Sequence, residues 1–430
     1  MVLKTINEIK PESLRQSNQS TYEQARDKIL ITGANGYIGS NLHAFLKGTG
    51  HDVFGVSSKE VQGKNIYQLN LADPEKILSI LVSTKPTVIV HTAALSSLEQ
   101  CEKNPELANR VNVVTTRNLV QAILKANKNI KFVFISSDYV FDGKRGNYRE
   151  EEELNPQTVY GKTKASSEAT IKECLENYAI CRTANVYGNG GNFFNFVLSA
   201  LNQNKPVEVF NDAFYTPTYL HYLLDSLKML IELNFKGVIH VAGPERLSRY
   251  DFALKMAETL GKEKSLVQPV KACDKLLAKD SSLNCEYSCK VLGNFWPGVV
   301  ESLHYCFGNL VQPYFYHVDQ RGMIVGVFRG LKWEEINYIE SIKGSVRGNH
   351  YHKETTEGIF VIDGKIKVTL VDLAKRSQRT FTAEKGATLI IHPNILHTFE
   401  MLNDSKWINM LSISLKDNAK DIHQRASALS

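Results

Sequence analysis

The sequence predicts an α/β domain built on a doubly wound parallel sheet, followed by an all-β domain, and three observations predict it. Strand-like apolar runs alternate with helical stretches from Lys28 to about Leu310, the rhythm of a parallel sheet with helices on both faces. Three glycines stand between the first strand and the first helix, where such a sheet turns to hold a ligand. From Met323 to Leu415 short alternating runs, punctuated by Gly, Pro, Asn and Asp, replace the helices, as in a sandwich or barrel. A length of 430 residues suits two cores.

In chain order, residues 1–27 are polar and mixed in charge, and form an extension expected to be partly helical or disordered. The first domain is expected over 28–310. Its strands are Ile29–Ile31, Asp52–Val56, Thr87–His91 and Lys131–Ser136, then Ala179–Arg182 and Val238–Val241. Ile38–Leu46 and Ala108–Ala126 have helical spacing of apolar residues. The segment from about Asn284 to Pro313 closes this domain and links it to the next. The second domain, 311–430, has strands at Ile336–Ile339, Ile359–Ile362, Ile366–Leu370, Thr388–Ile391 and Trp407–Ser412.

Composition narrows the function. Hydrophobic residues make up 43% and charged residues 22%, as in ordinary globular chains. A net charge of +6 is too mild and too scattered for a nucleic-acid binder and suits a small anionic substrate such as a nucleotide. Seven cysteines without a C-x-x-C pair form neither a disulfide framework nor a zinc module, which points to a reducing compartment. The N-terminal residues show no apolar signal core, and no apolar run is long enough to span a bilayer. A cytoplasmic protein without a membrane partner is expected.

The run Thr32-Gly33-Ala34-Asn35-Gly36-Tyr37-Ile38-Gly39 spaces its glycines as G-x-x-G-x-x-G between strand and helix. A dinucleotide pyrophosphate needs a sharp turn, close backbone approach and a helix N-terminus there. Gly33, Asn35, Gly36, Tyr37, Ile38 and Gly39 are therefore candidate cofactor residues. The second strand ends in Ser57-Ser58-Lys59, without the acid that usually holds the ribose hydroxyls of NAD. Two hydroxyls and an ammonium favour the 2′-phosphate of NADPH, with NADH the alternative.

Tyr160 and Lys164 stand four apart on a predicted helix and share a face. A nearby ammonium is expected to lower the phenol pKa, so that Tyr160 can exchange a proton with a carbonyl as hydride moves. Ser137, at the carboxyl end of the fourth strand, is placed to hold the carbonyl oxygen.

With these motifs together, residues 29 to about 305 resemble the extended short-chain dehydrogenase/reductases of Rossmann type, and among them the dTDP-4-dehydrorhamnose reductase family. The resemblance rests on the glycine run, His91-Thr92-Ala93-Ala94, Ser136-Ser137-Asp138-Tyr139-Val140-Phe141-Asp142-Gly143, Tyr160-Gly161-Lys162-Thr163-Lys164, Arg182-Thr183 to Tyr187-Gly188, and Lys279-Asp280-Ser281-Ser282-Leu283. It implies that Ser137, Tyr160 and Lys164 are catalytic. It also implies that Ala93 and Ala94 line the cofactor, that Asn70 and Leu71 lie near the adenine, and that Asn112 supports the site. His221 stands where the family commonly has an acid, so the sugar and nucleotide can differ from the rhamnose pathway.

The second domain carries Gly344-x5-His350-x-His352-x4-Glu357-x6-Gly364, and later Gly386 to His397. Period-two alternation puts His350 and His352 on one side of a strand. Three imidazoles and a carboxylate make a divalent-metal set of His350, His352, Glu357 and His397, with zinc the first choice. The spacing matches the cupin motif (a jelly-roll, double-stranded β-helix). It resembles both the metal-free ketoisomerases, where His350 and His352 would be acid and base, and the zinc cupin of capsular polysaccharide epimerase-reductases, which share this domain order. Asp319-Gln320-Arg321-Gly322 resembles the opening of sugar 3,5-epimerase cupins.

The leading reading is a homodimeric bifunctional enzyme on a nucleotide-diphosphate sugar. The cupin would epimerise or ketoisomerise a 4-keto-6-deoxy sugar, and the first domain would reduce it with NAD(P)H. Two alternatives stand: a reductase with a non-catalytic binding or dimerising cupin, and a non-catalytic regulator resembling the methionine adenosyltransferase regulatory subunit.

Overall fold

Apolar strands with both faces covered build the first sheet. The computed structural model describes residues 26–59, 65–188, 190–272, 277–293, 297–312, 315–319, 322–328, 331–414 and 419–424. Strands β1 (Lys28–Thr32), β2 (Asp52–Ser57), β3 (Ile66–Gln68), β4 (Val88–His91), β5 (Lys131–Ser137), β6 (Tyr178–Thr183) and β7 (Gly237–His240) form one parallel sheet in the order β7-β6-β5-β4-β1-β2-β3. All seven residues of β5 are buried, as expected of a central parallel strand. Helices α1 (Tyr37–Gly48), α2 (Pro74–Thr84), α3 (Thr115–Ala126) and α4 (Val159–Cys174) belong to the same unit. Leu30, Ile89, Phe132, Phe134 and Ile180 of the strands share a core with Ile77, Leu81, Leu119 and Ile123 of α2 and α3. The strand order reverses between β1 and β4, the place where open α/β sheets build sites.

The helix expected over Ala108–Ala126 is interrupted. A π-helical turn, Asn109–Val114, precedes α3 and carries Asn112 with only 2% of its surface exposed. Such turns are common at functional sites, and apolar periodicity does not reveal them. β3 also escaped the sequence reading, being three residues long and partly exposed.

Contacts divide the chain into two compact units. One comprises the described parts of Met1–Phe194, Phe210–Arg249 and Val270–Trp296; the other comprises those of Asn195–Val209, Tyr250–Pro269 and Pro297–Ser430. The second unit contains β8 (Glu335–Ser341), β9 (Val346–Tyr351), β10 (Glu357–Asp363), β11 (Lys365–Asp372), β12 (Ser377–Glu384), β13 (Thr388–Ile391), β14 (Ile395–Met401), β15 (Ser405–Leu411) and β16 (His423–Gln424). They form two antiparallel sheets, β8-β15-β10-β13 and β12-β11-β14-β9-β16. Ile359 and Val361 of β10, Ile366 and Val368 of β11, Phe399 and Met401 of β14, and Trp407 of β15 fill its core. Alternation continues this inner face to Glu357 on β10 and His397 on β14. β9 is the strand expected to carry His350 and His352, and it ends at Tyr351, one residue before His352; in β12 and β14 polar residues break the apolar runs that would announce a strand.

Of Asp319-Gln320-Arg321-Gly322, residues 320 and 321 lie outside the described set, as does nearly all of the 1–27 extension. Among the described residues no helix is long and apolar enough to cross a membrane, and the six described cysteines are free.

Candidate functional site

The loop after β1 is shaped by two glycines that tolerate no side chain. Gly33 lies in the left-handed region at φ 70°, and a Cβ there would stand 2.8 Å from the backbone of Ala93. A Cβ on Gly39 would stand 2.2 Å from the Gly33 carbonyl oxygen and 2.7 Å from Thr92 Oγ1. Gly36 differs, since its Cβ would meet just the Gly33 oxygen at 3.2 Å. Gly36 is the N-cap of α1, and no side chain caps that helix. A helix N-terminus of this kind is suited to receive an anion. Asn35 and Gly36 are exposed, Tyr37, Ile38, Ala93 and Ala94 are half-buried, and Gly39 is buried.

The other proposed cofactor residues are placed unequally. Ser57 is buried, and its hydroxyl closes the turn by donating to the Lys59 carbonyl at 2.8 Å and accepting from Lys59 N at 3.1 Å. The Ser57 hydroxyl is thus engaged within the turn, while Ser58 and Lys59 are exposed. Asn70 is exposed and accepts from Ala72 N. Leu71 is buried, and its carbonyl accepts from Asn118. Asn112 joins three elements: its Oδ1 accepts from Leu95 N at 2.8 Å, and its Nδ2 donates to Leu95 O at 3.1 Å and to Thr163 Oγ1 at 2.9 Å. Its amide therefore ties the loop after β4 to α4.

β5 ends at Ser137, whose hydroxyl donates to Asp138 Oδ1 at 2.8 Å and accepts from Tyr139 N at 3.2 Å. Ser281 Oγ donates to Asp138 Oδ2 at 2.6 Å. Burial pushes the Asp138 carboxyl up to about 6, against the hydrogen bonds that favour its charge. Tyr160 enters α4 beside its N-cap, Thr158, which accepts from Gly161 N. Burial and the Asp138 charge push the Tyr160 phenol up, while a hydrogen bond with Ser137 opposes them. This reverses the expected lowering by Lys164. That side chain is buried, its ammonium lies 4.0 Å from the Phe134 ring centre, and burial pushes it down to about 7 against the pull of Glu168. The structure thus brings Ser137 and Tyr160 together, and it adds Asp138 and Ser281, which the sequence reading quoted in motifs without a role. Beneath them Arg182 pairs with Glu168 through Nε–Oε1 at 3.0 Å and Nη2–Oε2 at 2.8 Å, and Ser136 donates to the same carboxylate.

In the second unit, His350, His352, Glu357 and His397 place their donor atoms within 4.8 Å of one another. Glu357 Oε1 lies 2.7 Å from His352 Nε2, 3.3 Å from His397 Nε2 and 3.7 Å from His350 Nε2. The outer atoms are held. His352 Nδ1 lies 2.9 Å from the Asp421 carbonyl and His397 Nδ1 lies 3.1 Å from the Ile395 carbonyl. Asn409 Nδ2 donates to Glu357 Oε2 at 2.9 Å. Proton placement on Nδ1 of His352 and His397, toward these carbonyls, would leave their Nε2 lone pairs free for an ion at the common centre, the arrangement of metal-ligating imidazoles. Burial would raise Glu357, but the charge of His397 and hydrogen bonds from the three imidazoles hold it well below the usual carboxylate range. The donor set fits a divalent ion. All four predicted ligands are brought together; β9 reaches the site through a bulge between Gly348 and His350, with Asn349 at φ 59°.

Comparison with known proteins finds two families along the chain. Residues 27–293 match the family described as RmlD substrate binding domain, and residues 317–419 match the one described as polysaccharide biosynthesis C-terminal domain. The chain is 32% identical over 242 residues to the spore coat polysaccharide biosynthesis protein SpsK of Bacillus subtilis, covering 56% of this chain and 82% of that protein. It is 32% identical over 247 residues to dTDP-4-dehydrorhamnose reductase of Aggregatibacter actinomycetemcomitans, covering 56% and 81%. It is 29% identical over 255 residues to methionine adenosyltransferase 2 subunit beta of Xenopus tropicalis, covering 56% and 75%. The crystal structure of dTDP-4-dehydrorhamnose reductase from Bacillus anthracis in complex with NADP superposes with a TM-score of 0.60 at 27% identity, covering 66% of this chain and 99% of that one.

Proposed function

The chain belongs to the RmlD substrate binding domain family, and from that premise we propose that it is an NAD(P)H-dependent reductase of a 4-keto-6-deoxy nucleotide sugar with a metal-holding cupin domain that epimerises or ketoisomerises the same sugar. The reductase is assigned to 28–310 and the cupin to 311–430. The observation that carries the reading is the meeting of Ser137, at the carboxyl end of β5, with Tyr160 on α4, the helix that also carries Lys164, in the same unit as a glycine turn with an uncapped helix.

Gly33, Gly36 and Gly39 would hold the pyrophosphate, and the bound nicotinamide would supply hydride to C4. Tyr160 donates its proton to the sugar's 4-oxygen; burial keeps that phenol protonated until substrate arrives. Lys164, four residues on along α4 and pushed down by burial, would return a proton to the phenolate. Ser137 would hold the carbonyl oxygen by turning toward it the hydroxyl proton that otherwise goes to Asp138. In the cupin, His350, His352, Glu357 and His397 would hold a zinc-like ion, which supplies charge stabilisation for an enediolate oxygen. A 4-keto group acidifies C3 and C5, so the cupin's product is the reductase's substrate. The convergence of all three imidazoles favours the metal over the metal-free acid–base reading. We further propose a cytoplasmic homodimer.

The similarity to the Xenopus regulatory subunit supports a second reading, a non-catalytic regulator. One incubation separates them: a dTDP- or UDP-4-keto-6-deoxy sugar with NADPH in D2O, followed by mass spectrometry and proton NMR. Reduced product with deuterium at C3 or C5 is expected. Reduced product without deuterium leaves the cupin as a binding module, and no NADPH consumption with either nucleotide refutes the reductase.

A further inference from the structure

The loop 352–355 separates His352 from Glu357 and contains no regular hydrogen-bonded structure of its own. Asn394 N donates to the His352 carbonyl at 2.6 Å, and the backbone N–H groups of residues 353–355 are held by one residue from the far end of the unit. Asp421 Oδ1 accepts from Lys353 N at 2.7 Å. Its Oδ2 accepts from Glu354 N at 3.2 Å, Thr355 N at 2.9 Å and Thr355 Oγ1 at 2.8 Å. Its carbonyl faces His352 Nδ1 at 2.9 Å. Asp421 is 5% exposed and Thr355 is 3% exposed, so the two Thr355 donors have little access to water and would be costly to orphan.

A second anchor fixes the same segment independently. β16 pairs with β9 through His350↔Gln424 and Tyr351↔His423, and the rings of Tyr351 and His423 stack at 5.1 Å. The segment around Asp421 therefore grips the strand carrying His350 and the loop that follows His352.

We propose that Asp421 is the positioning residue of the metal centre: its carboxylate clamps the 352–355 loop so that its own carbonyl fixes the His352 tautomer and turns Nε2 toward the ion. This rests on the metal reading given above. A ligating imidazole depends on the acceptor behind its other nitrogen, and removing such outer partners typically weakens metal affinity about ten- to a hundredfold. Here the acceptor is a main-chain carbonyl, so the side chain acts by holding the backbone in place.

The test is zinc(II) affinity of the full chain, measured by competition with a chromophoric chelator, together with the visible spectrum of the cobalt(II)-loaded protein. One zinc per wild-type chain is expected, with Asp421→Asn binding about ten- to a hundredfold more weakly, an altered cobalt spectrum and an unchanged far-UV circular dichroism spectrum. Equal zinc affinity in wild type and Asp421→Asn overturns the inference and leaves the metal site standing. Failure of the wild type to bind either ion overturns both. Should Asp421→Asn misfold, Thr355→Val removes one of the clamp's contacts and should weaken zinc about two- to fivefold, short of the effect of losing a whole outer partner; no change there also overturns the inference.

Discussion

Two substitutions in the glycine turn separate folding from cofactor binding. An alanine at Gly39 places its Cβ 2.2 Å from the Gly33 oxygen, whereas ordinary contact begins near 3.4 Å. The first turn of α1 and the Gly33 carbonyl must then part by about 1.2 Å. Overpacking of this kind costs about 1–3 kcal/mol, which lowers melting of a unit this size by about 2–12 °C. Gly36→Ser behaves differently. Its Cβ is 3.2 Å from the same oxygen, an adjustment of a few tenths of an ångström, and serine is a favourable N-cap. Melting without cofactor should therefore hold within about 2 °C. The new hydroxyl, however, occupies the helix terminus that the pyrophosphate needs, so the NADPH dissociation constant should rise at least about tenfold, or about 1.4 kcal/mol. Calorimetric melts and NADPH fluorescence titrations read both effects. Wild-type melting of Gly39→Ala would refute the contact geometry, and wild-type NADPH binding by Gly36→Ser would refute the turn as the pyrophosphate site.

Other outcomes follow from the same structure. Tyr160→Phe should retain NADPH binding but lower turnover about 10²–10⁴-fold, measured by NADPH absorbance; full turnover would exclude the phenol as proton donor. Asp138, raised from 3.8 to about 6, holds a proton when folded that the unfolded chain has released. Its contribution to stability is therefore complete below about pH 4 and lost as pH rises through about 6. The difference in unfolding free energy between wild type and Asp138→Asn should change across this window, and a flat difference would contradict the assignment. Arg182→Met leaves the Glu168 carboxylate without its buried partner and should cost about 3–5 kcal/mol in urea unfolding; a loss below 1 kcal/mol on the order of surface pairs would refute it. Zinc at a hundred times its dissociation constant should stabilise the wild-type second unit by about 2.7 kcal/mol, while His397→Ala should gain little; equal gains would remove His397 from the ligand set.

Most of the first sheet was legible because burial on both faces requires uninterrupted apolar runs, as in Phe132, Phe134 and Ile180. The glycine turn and the spacing of His350, His352 and Glu357 were legible because each places its chemistry within a few residues. Local pattern could not show contacts made across distance. Asp138 stood in plain view, but its burial depends on Ser281, 143 residues away. The inward turn of Ser57 depends on a local bend that strand alternation does not specify. The order of phenol and ammonium effects at Tyr160 was misjudged because desolvation is set by the surrounding fold rather than by i,i+4 spacing. The π turn at Asn112 was hidden for a related reason: one extra residue in a helix leaves its apolar content unchanged.

The contact between His352 and Asp421 spans 69 residues. At about 5–20 residues per second of synthesis, His352 leaves the ribosome about 3–14 s before the residue that orients it. In that interval its ring can carry its proton on either nitrogen, and the ligands lack a shared geometry. Closing so long a loop also places the step among the slower events of folding. On the proposed metal reading, the second unit should therefore choose its ion late, after the chain has closed, so that the shape of the finished cage, rather than the order in which metals meet the nascent imidazoles, decides which one stays.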